Sequence, residues 1–164
     1  MKTSHYIYLL FLLPVLLYSC AAPYQVSTNV KIKNDWKISD INVEGDIAGT
    51  PINAPVFEDV NMQCLKDSKW SFYEEGSGAY TINSSDSATC VKGVRKITWE
   101  VVTLKGKSHY LQFYRYGAPK GILTDRFTLY IAEITQLSKS SFTLKYPIKY
   151  QGKTGSIVIT LAKL

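Results

Sequence analysis

From Trp36 to the C-terminus the apolar residues recur at every second position, in eight runs separated by polar or glycine-bearing breaks. A period of two is the period of a β-strand with one face buried and one wet; a helix would need 3.6. The runs are 36–43 (WKISDINV), KWSFYE, AYTIN, VRKITWEVVTL, SHYLQFYRY, RFTLYIAEITQL, SFTLKYPIKY and GSIVITLAKL. Within them Ile97, Trp99 and Val101 share one face, as do Leu111 and Phe113; then Phe127, Leu129 and Ile131; Phe142, Leu144, Tyr146 and Ile148; and Ile157, Ile159 and Leu161. Short breaks such as Glu75-Gly76-Ser77-Gly78 and Lys105-Gly106-Lys107 suit antiparallel hairpins. Eight antiparallel strands in a row must close or stack, or they leave long edges open to other chains. An all-β fold follows, either an up-and-down barrel or a two-sheet sandwich.

Two stretches break the pattern. Residues 44–63 hold Gly45, Gly49, Pro51 and Pro55, which forbid continuous regular structure, and a short helical turn is expected near Phe57 to Cys64. Residues 117–125 (GAPKGILTD) and the polar SSDSAT before Cys90 read as loops. Pro147 has no amide proton for a ladder, so its point in the strand is an edge or a bulge.

The N-terminus is an address. Lys2 precedes an apolar run from Tyr6 to Tyr18. That run is shorter than the ~20 residues needed to cross a bilayer, and its charged start and small-residue end describe a secretory signal. Leu17-Tyr18-Ser19-Cys20 resembles the bacterial lipobox, in which cleavage before the cysteine leaves a thiol that carries diacylglycerol. The division expected is a signal peptide at 1–19, a flexible tether at 20–33 and a folded domain at 34–164. Ala21 follows the cysteine and no acidic residue appears before Asp35, which favours the periplasmic face of the outer membrane.

Removing residues 1–19 leaves 145 residues, enough for one domain with a real core. Charge is uneven: residues 20–91 hold 5 cations and 10 anions, residues 92–164 hold 13 and 3. On an exported chain the basic half decorates wet strand faces or meets anionic headgroups or an acidic partner, and nucleic acid is excluded by compartment. Lipidation of Cys20 leaves Cys64 and Cys90, which an oxidising compartment is expected to join.

The stretch from Phe57 to the C-terminus resembles the lipocalin-like lipoproteins of Bacteroidetes. The resemblance rests on FEDVNMQCLKDSKWSF, Gly78-x-Tyr80, Cys90 with Gly93, RKITW, YLQF and the closing GKTGSIVITLAKL. It implies an eight-stranded antiparallel up-and-down barrel, a disulfide joining Cys64 to Cys90 and a membrane tether at Cys20. The ligand-carrying lipocalins open with Gly-x-Trp and close with an arginine; here Asn34-Asp35 precede Trp36 and Lys163 stands near the end.

No catalytic constellation is visible. His109 is the single histidine after the signal, and no nucleophile-elbow pattern accompanies it. One histidine and two cysteines expected to be oxidised make no zinc site, and no cofactor-binding motif is present. Glu74 and Glu75, as neighbours on a strand, point to opposite faces. What remains is an aromatic interior, for which Trp36, Trp70, Phe72, Tyr80, Trp99, Leu111, Phe113, Leu129, Phe142 and Leu144 are the candidate inward and ligand-binding positions. Such an interior either packs on itself or holds a small hydrophobic ligand. Tyr110, Tyr114, Tyr116 and Tyr130 fall on the second face as an external contact surface. The function expected is that of a non-enzymatic lipoprotein binding a hydrophobic ligand in its barrel. The alternative is an accessory lipoprotein with a filled barrel that docks an envelope protein.

Overall fold

A computed structural model describes residues 31–52, 55–83, 90–104, 108–116 and 128–164, together with the backbone of 25–26. Cys20, the signal, the SSDSAT loop, the 105–107 turn, the 117–125 loop and Phe127 lie outside the described residues. The strands are β1 (Gln25–Val26), β2 (Asn34–Gly45), β3 (Lys69–Phe72), β4 (Ser77–Ile82), β5 (Gly93–Leu104), β6 (Ser108–Arg115), β7 (Leu129–Leu137), β8 (Ser141–Tyr150) and β9 (Lys153–Lys163). A four-residue helix, α1 (Met62–Leu65), overlaps the C-terminal end of the stretch where a helical turn was expected.

Strands β2 to β9 pair antiparallel in sequence order; β9 returns to β2 and β5 pairs with β6, which closes the ring. The fold is the up-and-down barrel, not the sandwich. The barrel's edges are thereby removed. Pro147 sits in the part of β8 beyond Lys145, where β7 no longer pairs and only β9 is alongside, as an edge proline should. Within the segment expected to be a tether, Gln25 and Val26 pair with Thr103 and Val102 of β5, past the end of β4. Ile32 is also fully buried, and its carbonyl accepts the Trp36 indole N–H at 2.7 Å.

Cross-strand partners share a face, so the ladder shows how the core fills. Trp99 lies opposite Phe113, Val101 opposite Leu111, Phe142 opposite Leu161 and Leu144 opposite Ile159, and all eight are buried. Gly78 sits among them because a Cβ there would stand 2.7 Å from the Ser71 carbonyl and 3.1 Å from the Trp99 ring. Ser39 forms a bulge in β2 between Ile38 and Asp40, which carries the half-buried Ile41 back to the inner face.

One face assignment is corrected. In β7 the inward set is Tyr130, Ala132 and Ile134, while Leu129 is 38% and Ile131 40% exposed. The cause is register: Phe113 pairs with Tyr130 and Leu111 with Ala132, so those two must point inward with their partners. Both faces of this strand are apolar, so period alone could not choose between them. Leu129 therefore leaves the list of inward residues, and Tyr130 leaves the list of outer tyrosines.

The barrel has two unlike poles. Asn34, the Phe72/Ser77, Leu104/Ser108 and Leu137/Ser141 strand ends, and Lys163 mark the entry pole. Gly45, the Ile82/Gly93 and Arg115/Leu129 strand ends, and the Tyr150/Lys153 hairpin mark the mouth pole.

Candidate functional site

The mouth is plugged by the segment before α1. Pro55 arrests regular structure, and Val56 and Val60 then bridge to each other, with the Val56 amide donating to the Val60 carbonyl at 2.8 Å. This tight turn forces Phe57 and Glu58 into left-handed backbone, at φ of 52° and 51°. Two consecutive non-glycine residues there cost about 1 kcal/mol or more each.

Burial of the Phe57 ring opposes that cost. It enters the barrel end at centroid distances of 5.0 Å from Phe113, 5.0 Å from Tyr146, 5.4 Å from Tyr130 and 6.0 Å from Trp70. The contacts with Trp70, Phe113 and Tyr130 are edge-to-face, and such pairs add about 0.5–1.5 kcal/mol each beyond simple burial. Beneath it the rings continue: Trp70 stacks on Tyr80 at 4.6 Å and Trp36 meets Phe142 edge-on at 4.7 Å.

Asp59 locks the plug. Its carboxylate is almost fully buried and accepts from Arg95 Nε at 3.0 Å, Arg115 Nη1 at 2.9 Å and the Tyr80 hydroxyl at 2.7 Å. Arg95 spends its other donors on the Gly93 carbonyl at 2.9 Å and the Val91 carbonyl at 2.7 Å, and Arg115 Nη2 donates to the Glu58 carbonyl at 3.2 Å. A buried carboxylate is tolerated only when paired and hydrogen-bonded in this way. Burial, reinforced by the Asp59 charge, raises the Tyr80 hydroxyl far above the ordinary phenol range. Tyr130 and Tyr146 are raised too, first by burial and then by the Glu58 carboxylate. All three stay neutral at physiological pH. The disulfide Cys64–Cys90, with Cα atoms 5.4 Å apart, ties α1 to the approach to β5 at this same pole.

Beside the plug lies a cleft of ≈ 270 Å³. The plug supplies one wall through Val56, Phe57 and Glu58, and the far ends of β8 and β9 supply the other through Tyr146, Ile148, Tyr150 and Ile157. Its lining is mixed, with Glu58, Tyr146, Lys149 and Tyr150 interleaved among Ile52, Val56, Ile148 and Ile157.

Of the ten candidate ligand positions, nine are buried, Leu129 being the exception, and none of the ten lines this cleft. They make the core on which the mouth stands. The residues that sequence reasoning missed are Phe57, Asp59, Arg95 and Arg115. A signal for the arginines was present, since Arg95 shares the phase of Ile97 and Trp99, and Arg115 that of Leu111 and Phe113. An arginine in the inward phase of a strand demands a carboxylate. Asp59 carried no such signal, lying in a connection without period.

The remaining candidates are scattered. His109 lies opposite Thr103, whose hydroxyl is 2.9 Å from Nδ1. Glu74 and Glu75 occupy a 3-10 turn, not a strand, and Glu74 faces Lys33 at 3.6 Å. Among the described residues no three of His, Cys, Asp and Glu gather as a metal site. Comparisons of the chain with protein-family models, characterised proteins and solved structures find no match.

Proposed function

We propose that this protein is a lipocalin-like envelope lipoprotein, anchored through Cys20 to the periplasmic face of the outer membrane, that binds a small hydrophobic ligand without catalysis. The observation that carries the ligand reading is Phe57, which closes the barrel interior and at the same time walls the ≈ 270 Å³ cleft above it. The ligand seat is then at the mouth and not among the ten core positions. Its volume falls just under the ~300–1,000 Å³ of ordinary small-molecule sites, which suits a compact molecule with one polar end. Apolar contact with the half-buried Ile52 and Ile148, over a floor of Phe57 and Ile157, supplies affinity, and the neutral Tyr146 hydroxyl orients the polar end.

Native mass spectrometry of the mature protein, gently purified, tests this directly. A small-molecule adduct is expected that is lost on denaturation and lost in Ile148→Trp, which fills the cleft, while Leu111→Val in the core retains it. Adducts that survive Ile148→Trp, or none from any preparation together with no stabilisation by a lipid panel, would overturn the ligand reading.

A second reading has its own support. Leu129 pairs with Tyr114 and Ile131 with Gln112 on the outer wall, leaving apolar side chains in solvent. An envelope protein docked there would make the barrel an accessory module, and Leu129→Lys with Ile131→Lys would abolish its crosslink while leaving the cleft adduct intact.

A further inference from the structure

The entry pole collects exposed apolar tips. Tyr73 is 53%, Leu104 43%, Leu137 42% and Leu164 64% exposed, and each belongs to a different strand end of that pole. Exposed Lys33, Lys139 and Lys163 stand among them, opposed by the exposed Glu74 and Glu75 beside Tyr73. Among the described residues, the other exposed large apolar side chains lie on the outer wall or towards the mouth.

Chain length adds a second, independent observation. Gln25 and Val26 are fixed to β5 at this pole, next to Leu104. Only four residues, Ala21 to Tyr24, separate that ladder from the lipid-bearing Cys20, a reach of about 18 Å fully extended over the five Cα steps. A free tether out to Lys33 would have reached about 45 Å.

From these two observations we infer that the barrel stands on the membrane by its entry pole, with Tyr73, Leu104, Leu137 and Leu164 dipping into the headgroup layer and the mouth cleft held away from the bilayer. The inference rests on the lipid-anchor reading of Cys20. Apolar tips flanked by long lysines, whose stems pack while their ammonium groups stay wet, match the chemistry of a phospholipid interface. Because Glu74 and Glu75 offset the lysines, shallow apolar insertion carries the contact, and it persists in high salt.

The test uses the full lipidated chain on phosphatidylcholine vesicles. With Cys64 and Cys90 joined and Cys20 acylated, a single introduced cysteine takes an environment-sensitive fluorophore, placed in turn by Leu137→Cys, Leu164→Cys and Gln151→Cys. Probes at 137 and 164 are expected to be several-fold less quenched by aqueous iodide than the probe at 151, and more quenched by spin-labelled lipid. Equal quenching at all three sites, or the reverse order, overturns the orientation. Flotation separates this from failure of the anchor. Wild-type protein that floats while Cys20→Ala does not keeps the anchor and lets the probes decide; wild-type protein that does not float removes anchor and orientation together.

Discussion

The two ends of this barrel are closed by different physics. At the entry pole the described closing contacts are uncharged hydrogen bonds to backbone carbonyls: the Trp36 indole N–H donates to Ile32, and the Leu164 amide to Asp35 at 3.0 Å. At the mouth a long irregular connection folds back over the opening. Its closure needs a buried carboxylate, two guanidinium groups, a strained pair of residues and a disulfide. Closure by neutral backbone bonds is robust to single side-chain changes, whereas closure by a buried charge cluster fails when one member is lost.

The largest expected effect follows from that contrast. Asp59→Ala leaves Arg95 and Arg115 facing each other without their carboxylate, and should lower unfolding free energy by about 3–5 kcal/mol in urea titrations. A loss under about 1 kcal/mol would mean the plug is not held by charge. Phe57→Ala removes the ring but keeps the left-handed backbone, costing about 3–4 kcal/mol by the same measurement. Phe57→Gly loses the same ring yet relieves the strain, so it should be the more stable of the two by about 1 kcal/mol. If alanine proves better than glycine, the positive φ at this site is not a strain. Replacing Cys64 and Cys90 together by serine opens a loop spanning 26 residues and should cost about 3 kcal/mol. At the entry pole Trp36→Phe removes one indole hydrogen bond and should cost about 1–2 kcal/mol, the local counterpart of the Asp59 change.

The smallest effect is a pH dependence at the mouth. Tyr80 has its folded-state pKa raised above the unfolded value, so the stability it contributes is fully present below the unfolded phenol pKa and is lost as pH rises beyond it. Wild-type stability should therefore decline above about pH 10, and Tyr80→Phe should flatten that decline. Unfolding titrations at stepped alkaline pH decide it, and parallel slopes for the two proteins would mean that Tyr80 does not carry the dependence.

The same contrast explains what was legible in the sequence. Where neighbouring strands pair across short turns, apolar alternation and glycine-bearing breaks encode the fold, and β2, β5, β6, β8 and β9 fall where period two places them. The face of β7 was not legible, because Leu129 and Ile131 compete with Tyr130, Ala132 and Ile134, and only pairing with β6 decides. The plug was not legible either. Phe57 reads as one more aromatic in a loop until the barrel shows the ring-lined opening it enters. The pairing of Gln25 and Val26 was hidden too, since two residues are too few to show a period.

That two-residue ladder has a mechanical consequence. Tension on the N-terminal chain is borne first by the pairing of Gln25 and Val26 with Thr103 and Val102, before it reaches β2. The ladder is short, and its loss leaves the closed ring of β2 to β9 unbroken. It therefore behaves as a fuse: a pull detaches β1 and lengthens the lead to the barrel, while the hydrogen bonds that define the domain carry no load until that slack is taken up.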